Sequence, residues 1–340
     1  MSRIIAVLIL NTVLMKLKNK ELGHFVDKIK LQRENMPKYR DQITNLKSKL
    51  ENKIRDDEST GMKVYKYLLA GSWKKHTILK ATGDNPIDID LVLFVTGDDN
   101  IQNDLKKLHD YIVKYLQEIY PTKDIYKDVD AEGNTKSINI RFNSSGLEVD
   151  IVPVVPINNP EKYVWQPQRG GGGKYITSVE NHLDFSLSLR KTNSSYTSIV
   201  RALKWWRNYK ELKPNGNEGG ISSYAIELVV AYLDINQGVE ENIEEAIIRY
   251  FQFLSESTFP EINFAHAINN IPYYNTAVYI ADDTNNENNA AKKISSSKWN
   301  EIKEEAEVAF DTLNLAQERN NEGDTINEWK SVFGPTFNIK

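Results

Sequence analysis

Short apolar runs separated by turn residues fill the first half of the chain, and this pattern predicts β-strands. The runs lie at residues 64–70, 87–95, 137–142 and 147–155, and apolar segments of this length between turn residues are typical of strands. Between them, residues 105–118 repeat their apolar positions at helical spacing. We therefore expect a mixed sheet with helices on one side, within an α+β fold.

A helical period marks both ends of the chain. Before the strands it covers residues 4–30 and 43–54, with a break at Pro37 between them. After residue 177 it returns in four segments, at residues 198–210, 223–233, 243–254 and 299–316. The helix over residues 223–233 is expected to be capped by Ser222 or Ser223. The second half of the chain therefore predicts a helical lobe.

The apolar stretch at residues 4–10 is interpreted as the buried face of the first helix. Asn11 and Thr12 interrupt it, and no small-residue cleavage site of a targeting segment follows. It is also too short to span a bilayer. We therefore expect no membrane association and a cytoplasmic location.

Two carboxylates dominate the strand predicted at residues 87–95. Side chains at alternate positions of a strand point to the same face, so Asp88 and Asp90 project together while Ile87, Ile89 and Leu91 face the core. Adjacent carboxylates repel each other unless a cation lies between them, which favours a divalent-metal site. The alternative is the solvated face of an ordinary strand.

Two further features strengthen the metal-site interpretation. Gly71 and Ser72 follow an apolar run directly, and a glycine-serine turn at a helix start offers N–H groups and a hydroxyl to a phosphate. Asp150 supplies a third carboxylate from the separate strand at residues 147–155. A phosphate cradle beside three aspartates indicates metal-assisted phosphoryl or nucleotidyl transfer.

This set of residues resembles the polymerase-β-type nucleotidyltransferase superfamily, in which a Gly-Ser turn precedes Asp-x-Asp and a separate Asp-bearing strand. Residues 200–206 and 221–228 are similar to the helical lobe of 2′-5′ oligoadenylate synthetases, cyclic GMP–AMP synthase and the bacterial CD-NTases. The resemblance implies that Lys204 and Ser223 grip the triphosphate of the donor nucleotide, and that Tyr224 stacks on its base. Residues 282–291 and 329–334 resemble the closing region of bacterial CD-NTases.

The resemblance implies a bilobal protein and a defined chemistry. Residues 1–190 would form the catalytic lobe, with a spine helix over residues 4–30, and residues 191–340 would form the helical lobe. Asp88, Asp90 and Asp150 would be both catalytic residues and ligands of two Mg²⁺ ions, with Mn²⁺ as an alternative. ATP and other ribonucleoside triphosphates would be joined into a cyclic di- or oligonucleotide messenger for an anti-phage (CBASS) system. A messenger-binding effector and CBASS regulatory proteins would be its partners.

Composition narrows the alternatives. The net charge of −4 and pI near 5.9 disfavour a constitutive nucleic-acid binder and a tRNA CCA-adding enzyme, although activation by RNA or DNA is left open. The absence of Cys excludes disulfides and thiol catalysis. A linear 2′-5′ oligoadenylate synthetase remains an alternative. So does a catalytically silent nucleotide- or RNA-binding module, although such a module has no need of three clustered carboxylates that repel phosphate.

The four glycines at residues 170–173 admit two interpretations. Glycine runs are typical of a flexible hairpin tip, which is the simpler interpretation. The functional interpretation is a lid near the nucleotide, with Arg169 and Lys174 as phosphate contacts.

Overall fold

Two helices open the described part of the chain. The computed structural model describes residues 15–83, 85–97, 104–129, 135–167, 174–214 and 219–340. Helix α1 covers Asn19–Ile29, and residues 15–18 before it are not helical. Among the described residues, the helix predicted over residues 4–30 therefore begins only at Asn19. Helix α2 (Met36–Asp56) begins before residue 43, because Pro37 lies in its first turn, where the missing N–H has no helical partner to lose.

Among the described residues, seven strands and two α-helices follow. In chain order they are β1 (Lys63–Leu69), the short α3 (Gly71–Lys74), β2 (Ile87–Thr96), α4 (Leu105–Ile119), β3 (Ile125–Val129), β4 (Thr135–Phe142), β5 (Leu147–Pro156), β6 (Val164–Pro167) and β7 (Lys174–Thr177). The main strand order is β1-β2-β5-β4-β3, and β6 joins β5 to β7. Strands β2 and β5 pair in parallel, and the other pairs are antiparallel. The four predicted strands are confirmed within two residues, whereas the short β3, β6 and β7 were not predicted.

The two faces of the sheet have different roles. Helices α2 and α4 cover one face, where the alternate β2 residues Ile87, Ile89 and Leu91 join one apolar core with them, as predicted. On the opposite face, Asp88 and Asp90 precede an apolar patch formed by Ala70, Val92, Phe94, Val152, Val154 and Val164. The polar residues of β2 therefore lie on the face that the helices α2 and α4 leave uncovered.

The second half of the chain is helical. Its elements are α5 (Val179–Thr192), α6 (Tyr196–Tyr209), α7 (Ser223–Gln237), α8 (Ile243–Ser255), α9 (Ser296–Glu318) and α10 (Glu322–Phe333). The four predicted helices correspond to α6, α7, α8 and α9. Helix α5 was missed because its apolar residues alternate along the chain, which imitates a strand. The mixed α+β fold is confirmed.

The helical half and α1 share a second apolar core. Leu22 and Phe25 of α1 pack with residues of α6, α8 and α10, and the core centre is a group of rings: Trp206, Phe251, Trp329, Phe333 and Phe337. Helix α2, by contrast, belongs to the sheet core. The N-terminal helices thus contribute to both cores, while the predicted division between residues 190 and 191 stays a prediction.

Two of the sequence-based expectations concern residues that the structure does not describe. Residues 4–14 and the glycine run at 170–173 lie outside the described residues. Within the described part of the chain, none of the helices has the length and apolar character needed to cross a bilayer.

The N-terminal cap of α7 can be tested by substitution. The Ser222 hydroxyl accepts a hydrogen bond from the Ala225 N–H at 3.0 Å, so Ser222, and not Ser223, caps the helix. We expect Ser222→Ala to lower the free energy of unfolding by about 1 kcal/mol in urea denaturation. The control is Ser48→Ala on the exposed face of α2. Equal effects of the two substitutions would contradict the assignment of the cap.

Candidate active site

The parallel pairing of β2 with β5 brings the three predicted aspartates to one face of the sheet. In this register Asp90 lies opposite Asp150, and Asp88 lies opposite Glu148. Asp88 and Asp90 are two residues apart and share a face. On the other side of β5, Asn139 of β4 lies opposite Asp150 and donates its amide to the Asp150 carboxylate at 3.1 Å. This hydrogen bond orients the Asp150 carboxylate on the face that it shares with Asp88 and Asp90.

The predicted glycine-serine turn touches this acidic face. The Ala70 N–H donates to the Asp90 carbonyl at 2.9 Å, which fixes the end of β1 beside β2. Gly71 has a φ of +53°, and a Cβ atom at this position would lie 1.7 Å from Asp90 Oδ2. Only glycine allows this approach. Ser72 follows in the first turn of α3 and is partly exposed.

Crowded negative charge perturbs the titration of Asp88. Burial removes water from the Asp88 carboxylate, and Asp90 and Asp150 repel its charge. Both effects raise the pKa of Asp88 well above its ordinary value. The side chain still meets solvent, so a ligand from solution can reach it. A cation beside these carboxylates would relieve the repulsion, because it stabilises their ionised forms.

Lys204 and Ser223, two of the predicted triphosphate contacts, are engaged by protein groups. Lys204 is 4% exposed, and its Nζ donates to the Thr77 carbonyl at 3.0 Å. Burial lowers the pKa of Lys204 to about 8. The Ser223 hydroxyl accepts from Arg207 Nη1 at 3.2 Å. Their predicted roles toward a nucleotide stay predictions.

The hydroxyl of Tyr224 is held in place by a hydrogen bond to Asp283. Its O–H donates to Asp283 Oδ1 at 2.6 Å, and its ring stands edge-on to the ring of His182 with 5.2 Å between centroids. The ammonium of Lys75 lies 4.8 Å from the centroid of the Tyr224 ring. These contacts define the plane of the ring that we predict to stack on the donor base.

A buried ion pair connects α7 to the segment after the Gly71–Ser72 turn. Lys75 Nζ donates to Glu227 Oε2 at 2.9 Å, and the Thr77 hydroxyl donates to Glu227 Oε1 at 2.9 Å. Burial acts to lower the pKa of Lys75, but the charges of Glu227, Asp283 and Asp90 outweigh it and raise the pKa. Sequence reasoning missed this pair. The available signal was Glu227 itself, a lone charge within the otherwise apolar stretch of α7.

A second buried charged cluster joins α5 to the loop at residues 282–289. His182 Nδ1 lies 2.6 Å from Asp283 Oδ1, and His182 Nε2 lies 3.5 Å from Asp282 Oδ2. Burial opposes the charge on His182, but the two aspartates raise its pKa to about 10, and the imidazolium lowers the pKa of both aspartates. Composition alone did not reveal this cluster, because the loop reads as merely polar.

The described residues contain one group of three side chains whose ligand atoms all lie within 4.8 Å of one another, and it is His182, Asp282 and Asp283. The predicted trio Asp88, Asp90 and Asp150 is not such a group. We assign a structural role, and not metal binding, to the His182 group, because a protonated imidazole between two carboxylates has no lone pair for a metal. The aspartate trio offers only oxygen donors, which suit Mg²⁺ or Mn²⁺, and the crowded charge at Asp88 fits a cation.

Comparison with known proteins gives a consistent answer. Residues 15–183 match the family model described as the Second Messenger Oligonucleotide or Dinucleotide Synthetase domain. Over 328 residues the chain is 29% identical to the CBASS oligonucleotide cyclase CdnC of Escherichia coli strain KTE188, covering 96% of this chain and 99% of that protein. It is also 29% identical over 326 residues to the cyclic AMP-AMP-AMP synthase of Escherichia coli strain MS 115-1, covering 94% and 97%.

The fold comparison agrees with the sequence comparison. The chain superimposes on the structure of Escherichia coli MS115-1 CdnC with ATP at a TM-score of 0.76 and 26% identity, covering 94% of this chain and 99% of that chain. The structure of the same CdnC in complex with HORMA-deltaN gives a TM-score of 0.74 at 27% identity, covering 94% and 98%.

The charge on His182 generates a pH-dependent prediction. The folded pKa near 10 exceeds the ordinary 6.5, so His182 contributes stability that is fully present below pH 6.5 and is lost as the pH rises through 10. We expect His182→Gln to lower the free energy of unfolding by about 3–5 kcal/mol near neutral pH, because it leaves buried carboxylates without their cation. The deficit should shrink toward pH 10.

Urea denaturation at a series of pH values measures this deficit. The control is His24→Gln, a substitution of an exposed histidine in α1 that should have little effect at any pH. A deficit for His182→Gln that stays constant from pH 7 to beyond 10 would contradict the assigned charge.

Proposed function

Because the chain belongs to the CD-NTase family of nucleotidyltransferases, we propose that it joins ribonucleoside triphosphates into a cyclic di- or oligonucleotide messenger, with release of pyrophosphate. Members of this family are metal-dependent. One observation carries the proposal at the level of this chain's own residues. Three carboxylates share one sheet face, and Gly71 of the Gly71–Ser72 turn touches one of them.

The proposed metal ligands are Asp88, Asp90 and Asp150. Two Mg²⁺ ions, or Mn²⁺ in their place, are the proposed occupants, since Mg²⁺ prefers a few carboxylates together with phosphate oxygens. Bound cations of this kind neutralise a triphosphate and its leaving pyrophosphate and lower the pKa of an attacking hydroxyl. The crowding that raises the pKa of Asp88 supports this occupancy.

The proposed reaction forms one bond and breaks one. The acceptor ribose hydroxyl attacks the α-phosphorus of the donor nucleotide, and the bond from that phosphorus to the β-phosphate oxygen breaks. Asp150 receives the hydroxyl proton, since the Asn139 amide orients its carboxylate. Pyrophosphate is the leaving group and takes the electron pair of the broken bond. A second attack within the joined product closes the ring.

Residues around the donor are proposed to bind and orient it. Ser72 and the N–H groups of α3 would contact the phosphates, and Gly71 brings them against Asp90. The ring of Tyr224, held through its hydroxyl, would stack on the donor base for about 1–3 kcal/mol. Lys204 and Ser223 would reach the triphosphate only by exchanging their present partners, Thr77 and Arg207.

The relatives suggest the biological setting. CdnC has been solved with ATP and with HORMA-deltaN, and we propose that this chain likewise uses ATP and assembles with a regulatory protein of that kind. The cyclic AMP-AMP-AMP synthase supports adenine nucleotides as substrates of this chain. An anti-phage role in the cytoplasm, with a separate effector that binds the messenger, completes the proposal.

The test is to incubate the purified protein with Mg²⁺ and the four ribonucleoside triphosphates, singly and mixed, with and without a HORMA-type partner. Products are treated with phosphatase and identified by mass spectrometry. A phosphatase-resistant product without free ends is expected, and its mass names the bases. A ladder that carries a 5′-triphosphate would instead indicate linear synthesis and contradict ring closure.

The role of the aspartates is tested by pyrophosphate release. We expect the double variant Asp88→Asn with Asp90→Asn to lose activity by roughly 10³-fold, because the cation that stabilises the transition-state charge is no longer held. Asp311→Asn, in an exposed position of α9, is the control and should keep wild-type activity. Full pyrophosphate release by the double variant would rule out the proposed mechanism.

The contact between the turn and Asp90 generates a separate prediction. Gly71→Ala places a methyl group where Asp90 Oδ2 lies and strains a backbone of positive φ by about 1–2 kcal/mol. We expect pyrophosphate release to fall by about a hundredfold or more, because displacement of reacting groups by an ångström has effects of that size. Gly23→Ala serves as the control, since a Cβ there meets no atom within 4 Å. Comparable activity of both variants would refute the importance of the contact.

A further inference from the structure

The face of the sheet that carries the three aspartates extends across β5 onto β4. Asn139 of β4 belongs to this face, because its amide reaches the Asp150 carboxylate. Arg141 comes two residues after Asn139, and Glu148 comes two residues before Asp150, so both side chains project from the same face. Two rows of side chains therefore cross the three strands, with Asp90, Asp150 and Asn139 in one and Asp88, Glu148 and Arg141 in the other.

Arg141 is the one cation among the described side chains that β2, β4 and β5 place on this face. Its guanidinium forms an ion pair with Glu148 through Nη2. The side chain of Arg141 is 50% exposed and that of Glu148 is 16% exposed. A guanidinium has five N–H donors in a rigid fork. Glu148 therefore orients this fork, while the exposure of Arg141 admits an anion from solution.

Folding stability gives little reason for an arginine at this position. An ion pair with a half-exposed partner contributes little, because water screens both charges. The pair does change the charge of the face, since a positive group now ends the row that begins with the Asp88 carboxylate. A ligand that meets the aspartates through a bound cation, and carries negative charge toward β4, would complement this arrangement.

The direction of the proposed reaction indicates which part of a substrate reaches β4. The donor phosphates are assigned to the Gly71–Ser72 turn, which lies on the β1 side of β2. In a displacement at phosphorus, the attacking and leaving oxygens lie in line on opposite sides. Pyrophosphate leaves on the β1 side, so the acceptor nucleotide enters from the side of β5 and β4. Two strand spacings put the backbone of Arg141 roughly 10 Å from that of Asp88.

We propose that Arg141 binds the 5′-phosphates of the acceptor nucleotide through charge-assisted hydrogen bonds. The inference rests on the proposed function, in which Asp88, Asp90 and Asp150 hold the metal ions beside the attacking hydroxyl. The guanidinium suits this role, because its planar fork matches the oxygens of a phosphate. Glu148 is a positioning residue that orients Arg141 and does not touch the nucleotide.

The test separates the acceptor from the donor by their chemistry. 2′,3′-Dideoxy-ATP acts only as a donor because it lacks the attacking hydroxyls. α,β-Methylene-ATP acts only as an acceptor, because its P–C bond does not release pyrophosphate. The joined product is quantified by mass spectrometry at saturating donor, with Mg²⁺ and a HORMA-type partner. For Arg141→Gln we expect the KM for α,β-methylene-ATP to rise about tenfold at unchanged kcat, while the KM for the donor stays within about twofold.

Adenosine is the matched control substrate, because it has the attacking hydroxyls but no phosphate. Arg141→Gln should leave kcat/KM for adenosine unchanged, whereas a merely structural role of Arg141 would lower kcat/KM for both acceptors alike. The matched control variant is Arg55→Gln on α2, the helix that covers the opposite face of the sheet. It also breaks an exposed ion pair, that of Arg55 with Asp56, and should keep the wild-type kinetics with both acceptors.

Arg141→Lys provides a second measurement and replaces Arg141→Gln should that variant fail to fold. Lysine keeps the charge but not the planar fork, so the KM for α,β-methylene-ATP should lie between those of wild type and Arg141→Gln. An unchanged KM for this acceptor in Arg141→Gln, or an equal loss with adenosine, would overturn the inference alone. A wild type that joins the donor to neither acceptor would overturn the proposed function and the inference together.

Discussion

The parallel pairing of β2 with β5 is the constraint on which the site depends. A parallel ladder sets Asp90 opposite Asp150, and the two-residue period of a strand adds Asp88 to the same face. Three carboxylates in one place repel each other and raise the pKa of Asp88. The fold tolerates this repulsion because apolar contacts stabilise both strands independently of the charges. One face of the strands packs against α2 and α4, and the other carries the apolar patch around Phe94.

The segment after β1 is fixed by two contacts, that of Gly71 with Asp90 and that of Lys75 with Glu227. Gly71 lets the end of β1 touch Asp90, which no residue with a Cβ could do. Lys75, four residues later, donates from its ammonium to Glu227 of α7 at 2.9 Å. The segment that contains the Gly71–Ser72 turn is therefore held from two directions, by a strand of the sheet and by a helix of the second core.

A network of buried polar groups fills the region between the helices and the loop at residues 282–289. Tyr224 links the His182 cluster to Lys75, since its hydroxyl binds Asp283 and its ring faces the ammonium. Groups in such a network need all their partners, because an unpaired buried charge is costly. The network therefore restrains the relative arrangement of α5, α7 and the Gly71–Ser72 turn more strictly than apolar packing would.

The sequence by itself determined the strand and helix pattern and the local geometry of the acidic residues. Apolar periodicity predicted the four long strands, and the period of two was enough to predict that Asp88 and Asp90 point away from the core that contains Ile89. It also singled out Gly71 and Asp150. It could not predict β3, β6 and β7, which are too short for a pattern, or α5, whose apolar residues alternate as in a strand.

Only the tertiary structure decided which distant residues meet. That Asp90 lies opposite Asp150 depends on strand register, and register is set by the packing of a whole sheet against α2 and α4. Lys75 and Glu227, like His182 and Asp283, are far apart in the chain and meet only in the folded structure. Local periodicity reports which face of an element is apolar, whereas the partner of a buried charge is set by contacts between elements, which no local pattern contains.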